Sequence, residues 1–109
     1  TSAPVDVQAT LAEFTVQAVV DSLQRFGAAS KHLVVCGGGA FNAHLLARLQ
    51  ALLPQLKVEA SAACGLPPLQ VEAAAFAWLA QATLARQAGN LPSVTGARGP
   101  RVLGAIYPA

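Results

Sequence analysis

The stretch LVVCGGGAFN, residues 33–42, places three consecutive glycines, Gly37, Gly38 and Gly39, after an apolar run, with Asn42 one turn further on. Glycine loses more backbone freedom on folding than any other residue, so three in a row need a reason. One reason is a tight structural turn. The other is a ligand that must approach bare backbone, because a glycine turn between a strand and a helix aims N–H groups and the helix N-terminus at a nucleotide. Asn42 either caps that helix or hydrogen-bonds a ligand hydroxyl. The pattern is neither GxxxxGK[ST] nor GxGxxG, so the P-loop and the dinucleotide fingerprint do not apply.

The other chemistry-bearing residues are sparse. Glu72 sits in a largely apolar helical stretch, where an unpaired buried carboxylate is costly; it either reaches a ligand cleft or pairs structurally. His32 and His44 are far apart, and Cys36 is too far along an extended strand from His32 to share a metal, so no metal ligand is assigned. Cys36 and Cys64 form neither a CxxC pair nor a disulfide framework; they read as small apolar fillers in a reducing compartment. Asn90, Ser93 and Thr95 are turn formers, and Asp6, Glu13 and Asp21 read as the solvated side and first-turn charge of a helix.

These residues must be positioned by an alternating set of elements. Val7, Leu11, Phe14 and Ala18 recur at helical spacing, joined by Val19, Leu23 and Phe26, and predict a long amphipathic helix from Pro4 to Phe26 with Gly27 as its cap. HLVVCG predicts a buried strand. Leu45, Leu46, Leu49, Leu52 and Leu53 predict a second helix ended by Pro54, and LKVEAS a second strand. Pro67 and Pro68 suit the first turn of a third helix, with Val71, Ala75, Trp78 and Ala82 on one buried face, ending near Gly89. Helix-strand-helix-strand-helix with short connections implies parallel strands and an α/β fold. The expected organisation is one partial domain over residues 1–109, with an α/β body over 1–89. Residues 90–109 are expected to form a loop and then a strand or extended segment packed back on the body.

Composition narrows the function classes. The net charge of +2 comes from scattered single Lys and Arg residues, which gives no footprint for nucleic acid. The longest apolar run, residues 73–80, is far short of the roughly 20 residues that span a bilayer. No signal-peptide pattern opens the chain. With 54% hydrophobic and 11% charged residues, the chain is apolar for a free-standing domain, which suggests a face covered by another domain.

In order along the chain, LVVCGGGAFNAHLLARLQALLP, GLPPLQVEAAAFAWLA, GNLPSVTGA and VLGAIYPA resemble the C-terminal part of the bacterial anhydro-N-acetylmuramic acid kinase family. That family belongs to the actin-like sugar kinases, whose two ribonuclease H-like lobes close around a cleft. The resemblance implies that this chain is part of the C-terminal lobe, and that Gly37, Gly38, Gly39 and Asn42 belong to the adenosine motif. It also implies the activity: ATP-dependent phosphorylation of 1,6-anhydro-N-acetylmuramic acid with hydrolytic opening of the anhydro ring, giving N-acetylmuramic acid 6-phosphate in cell-wall recycling.

Glu72 then becomes a candidate sugar contact, and Mg²⁺ accompanies ATP with no ligand assigned here. The N-terminal lobe of the same protein and the small sugar are the implied partners, a homodimer is left open, and the expected location is cytoplasmic. The phosphate loop and the catalytic aspartate are expected upstream of Thr1, so no catalytic residue is assigned and the chain alone is expected to be inactive. Where the family pattern leads us to expect a threonine-aspartate pair and a later acid, this sequence has Ser61, Ala62 and Leu69. The rival reading is a non-catalytic ribonuclease H-like binding or assembly module.

Overall fold

The computed structural model describes residues 3–108. They fold as two compact units, one running to Val71 and one starting at Glu72.

In the first unit, helix α1 spans Pro4–Phe26, strand β1 His32–Val35, helix α2 Ala43–Leu52 and strand β2 Lys57–Ala60. Short 3₁₀ turns cover Gly38–Phe41, Ser61–Cys64 and Pro68–Gln70. α1 begins at Pro4, whose missing N–H would lack a partner in a first turn anyway, and ends where the Gly27 N–H donates to the Leu23 carbonyl at 2.8 Å. β1 and β2 pair in parallel, His32 opposite Lys57, Leu33 opposite Val58, Val34 opposite Glu59 and Val35 opposite Ala60. The expected alternation and parallel pairing are therefore present.

Because side chains alternate along a strand, Leu33, Val35 and Val58 share one sheet face, and they pack against the buried cluster of Val16, Val20, Leu49, Leu53 and Leu56. His32, Val34, Lys57 and Glu59 share the other face. Two polar ties hold the helical side. Arg48 donates two hydrogen bonds to the Glu13 carboxylate, at 2.9 and 3.0 Å, joining α2 to α1. Gln50 donates to the Leu53 and Leu56 carbonyls and accepts from the Val58 N–H, fixing the bend from α2 into β2.

The structure corrects the inward face of α1. Val16 and Val20 are buried, with Val19 and Leu23 partly so, whereas Leu11 is 56%, Phe14 74% and Phe26 88% exposed. α1 is apolar on more than one side, and α2 with two strands can cover only one stripe. Glu13 is likewise a cross-helix ion pair rather than a solvated charge.

The second unit holds all but the first residue of helix α3, Val71–Leu84, and a single turn, α4, Pro92–Thr95. α3 ends earlier than the sequence suggests, because Arg86 rather than Gly89 takes the left-handed position, at φ 56°. The Arg86 N–H bonds the Thr83 carbonyl and the Gln87 N–H the Ala82 carbonyl, the paired closure of a Schellman cap. Trp78 is not inside: it is 56% exposed, and Ala82 is the buried residue of this helix. An all-round apolar helix carries no periodic signal to orient it.

Among its described residues the segment after α4 forms no strand, yet it does fold back on α3. Asn90 donates to the Gly99 carbonyl and accepts from the Arg101 N–H, the Gly89 N–H bonds the Arg101 carbonyl, and the Thr83 hydroxyl meets the Leu103 carbonyl. Between α3 and this segment runs an apolar groove of about 500 Å³, lined by Phe76, Leu79, Leu84, Leu103 and Ile106. Among the described residues no helix is long and apolar enough to cross a membrane.

Candidate functional site

The glycine turn lies at the carboxyl end of β1, where parallel α/β sheets receive ligands. Gly37 sits at φ 73°, ψ −169°, a conformation that residues with a Cβ rarely adopt. The Ala40 N–H then bonds the Gly37 carbonyl at 3.1 Å and the Asn42 N–H the Gly39 carbonyl at 3.0 Å, closing the 3₁₀ turn. Asn42 Oδ1 accepts from the Leu45 N–H at 3.1 Å, so this side chain caps α2. The Gly37 N–H donates to the Pro68 carbonyl at 3.0 Å, tying the turn to the loop that leaves β2.

The three glycines differ in what the fold demands of them, and only one of them has to be glycine on internal grounds. Gly37 is demanded by its own backbone. At Gly39 a Cβ would lie 3.5 Å from the Leu45 side chain, an ordinary contact. At Gly38 a Cβ would meet nothing within 4 Å, and the backbone is outside the left-handed region. Nothing inside the fold asks for glycine there. Of the three, only Gly37 has a positive φ.

Next to this shelf, β2 ends at Ala60, the partner of Val35, and runs into Ser61. Ser61 is 5% exposed, and its hydroxyl has no hydrogen-bond partner among the described residues. Ala62 and Leu69, where acids were expected, are both exposed.

Glu72 is exposed in the first turn of α3 and makes no ion pair among the described residues, so the cost of burial that singled it out does not arise. It opens the second unit, whereas the glycines and Asn42 lie together in the first. Asn90 is structural, through the loop bonds above. Cys36 and Cys64 are both exposed, so neither fills a core.

Sequence reasoning missed one grouping. His32 Nε2 lies 2.6 Å and Lys57 Nζ 2.5 Å from the two oxygens of Glu59, and the Cys64 thiol is 3.7 Å from one of them. The signal was the strand register, which sets His32 beside Lys57 two residues from Glu59 on one face. Lys57, chiefly by its hydrogen bond, and His32 hold the Glu59 carboxyl below its usual range. Glu13 is pulled down to about 2, first by the Arg48 hydrogen bonds and then by Gln17.

Two parallel strands, a helical crossover and a glycine shelf at the strand ends define the parallel α/β class of proteins that take ligands at the carboxyl edge of a sheet. Within that class, the chain belongs to the anhydro-N-acetylmuramic acid kinase family, whose model matches residues 1–109. A relative of that name from Variovorax paradoxus is 68% identical over 108 residues, covering 99% of this chain and 29% of the relative. One from Albidiferax ferrireducens is 65% identical over 107 residues, covering 98% and 28%. A third, from Pseudomonas paraeruginosa, is 53% identical over 104 residues, covering 95% and 28%. The chain thus spans less than a third of the length of the relatives it matches.

Proposed function

We propose that the protein containing this chain transfers the γ-phosphoryl group of ATP to 1,6-anhydro-N-acetylmuramic acid while water opens the anhydro ring, giving ADP and N-acetylmuramic acid 6-phosphate. This chain is then the C-terminal portion of a ribonuclease H-like lobe and the adenosine side of a cleft closed by the N-terminal lobe of the same protein. Gly37, Gly38 and Gly39 present bare backbone to the nucleotide. Asn42 holds the shelf in place by capping α2, and Glu72 faces the sugar. Mg²⁺ travels with the nucleotide and neutralises developing phosphoryl charge, as in phosphoryl transfer generally. No residue here is assigned to the ion or to the chemical step, and the reaction is placed in the cytoplasm.

The observation that carries this reading is Gly38. A residue that is glycine without internal need, on an open shelf at a strand end, is explained by a ligand that comes too close for a side chain. The reading is supported further by the names of the relatives. Exposed Phe14, Phe26 and Phe76 also suit a non-catalytic assembly module, and they equally suit a lobe surface covered by the rest of a kinase.

Nucleotide titration of the full-length protein separates the two. Gly38→Val should weaken ATP binding about tenfold or more, at least 1.4 kcal/mol, with an unchanged melting temperature. Unaltered nucleotide affinity in the folded variant would remove the nucleotide assignment. The 109-residue chain alone should release no ADP in a sugar-dependent assay, because it offers a cradle without the groups that position the transferred phosphoryl.

A further inference from the structure

We propose that His32, Glu59 and Cys64 form a binding site for a zinc-type divalent metal ion, independent of the phosphoryl-transfer reading. One ligand atom from each of the three lies within 4.8 Å of the other two. They come from three places: the first residue of β1, the third residue of β2 and the last residue of the 3₁₀ turn after β2. The first two are set by strand register. The third is set by Gly65, whose left-handed backbone (φ 86°, ψ 3°) closes the turn, its N–H on the Ala62 carbonyl and the Leu66 N–H on the Ser61 carbonyl.

The donor set selects the metal. Imidazole, carboxylate and thiol together suit Zn²⁺ or Co²⁺ and disfavour Mg²⁺ and Ca²⁺, which take oxygen ligands. Zinc sits about 2.0–2.2 Å from nitrogen and oxygen and about 2.3 Å from sulfur, so neighbouring donors around it stand roughly 3.3–3.7 Å apart. Cys64 Sγ and Glu59 Oε1 are already 3.7 Å apart. His32 Nε2 and Glu59 Oε1, at 2.6 Å, must part by under about 1 Å, which rotation of the exposed His32 ring supplies.

The two carboxylate oxygens divide the work. Oε1 faces His32 and Cys64, while Oε2 is held by Lys57 Nζ at 2.5 Å, leaving Lys57 as the outer partner that orients the ligating carboxylate. Metal binding exchanges the Cys64 S–H bond for an S–metal bond and releases that proton to solvent; His32 binds neutral through Nε2. One thiolate and one carboxylate then balance the charge of the ion. With three protein ligands, the fourth position goes to water.

The test is a Co²⁺ titration of the full-length protein, followed by Zn²⁺ competition. One Co²⁺ per chain should bind and give the near-ultraviolet thiolate-to-cobalt absorption, and Zn²⁺ should abolish it. Cys64→Ser should remove the band and weaken Co²⁺ binding about tenfold or more, His32→Ala should weaken it comparably, and Cys36→Ser should change neither. X-ray absorption of the zinc-loaded wild-type protein gives a reading that needs no variant, with one sulfur expected near 2.3 Å beside nitrogen or oxygen ligands. A wild-type protein without the thiolate band, a band that survives Cys64→Ser, or a zinc shell free of sulfur would each overturn the proposal and leave a His32–Glu59–Lys57 ion cluster.

Discussion

In the first unit, Val16 and Val20 from α1, Leu49 from α2, and Leu53 and Leu56 from the turn after it close one core against a sheet face. The second unit has one buried apolar side chain among its described residues, Ala82, and its tail is held by Asn90, Gly89 and Thr83 bonding to backbone. The first unit's order comes from apolar side chains of several elements covering one another. The second unit's order comes from hydrogen bonds over an apolar helix whose Phe76, Trp78 and Leu84 stay exposed. Density of apolar residues therefore does not make a core; an inward face exists only where another element supplies a partner.

Truncating one apolar side chain in each unit tests this difference most directly. Leu53 is 1% exposed, so Leu53→Ala should cost about 2–5 kcal/mol in a urea unfolding series on the 109-residue chain. Trp78→Ala, at a site 56% exposed, should cost less than about 1 kcal/mol in the same series, although the sequence spacing places Trp78 on a buried face. Equal costs would show that the two units share one mode of stabilisation.

A smaller effect sharpens the picture of the hydrogen-bonded unit. Arg86 carries a side chain at φ 56°, where glycine suffers no penalty, so Arg86→Gly should stabilise the chain by about 1 kcal/mol and raise its unfolding midpoint. A lower midpoint would mean that the arginine side chain contributes more than its backbone strain costs.

The smallest effect probes the α1–α2 tie. The Glu13 carboxyl is pulled from its ordinary 4.5 to about 2 in the folded chain, chiefly by Arg48. A depressed folded value means the pair's stabilisation is complete above pH 4.5 and is lost as pH falls toward 2. Melting temperature should therefore drop more steeply across that window in the wild type than in Glu13→Gln. A residual slope is expected from Glu59, which shifts the same way. Identical slopes would show that the ion pair is screened to nothing.

Much of the first unit was legible because its signals are local. Pro4 and Gly27 bound α1, the leucine spacing and Pro54 bound α2, and two short apolar runs separated by one helix leave parallel pairing as the natural outcome. The glycine shelf was legible for the same reason, since a strand end followed by three glycines concerns one stretch of chain. Asn42 showed its capping position, and its structure confirms that it accepts from Leu45.

Local signals in the sequence set where the elements start and stop, that the strands alternate with helices, and that bare backbone stands between β1 and α2. Long-range packing sets which stripe of α1 is buried, that Trp78 faces outward, that Arg86 rather than Gly89 closes α3, and that His32, Glu59 and Cys64 converge. The physical reason is the range of the forces. Capping, periodicity and glycine freedom act within a few residues. Burial and side-chain convergence depend on which distant elements come to lie alongside, and neither an all-round apolar helix nor a lone histidine carries that information in its own neighbourhood.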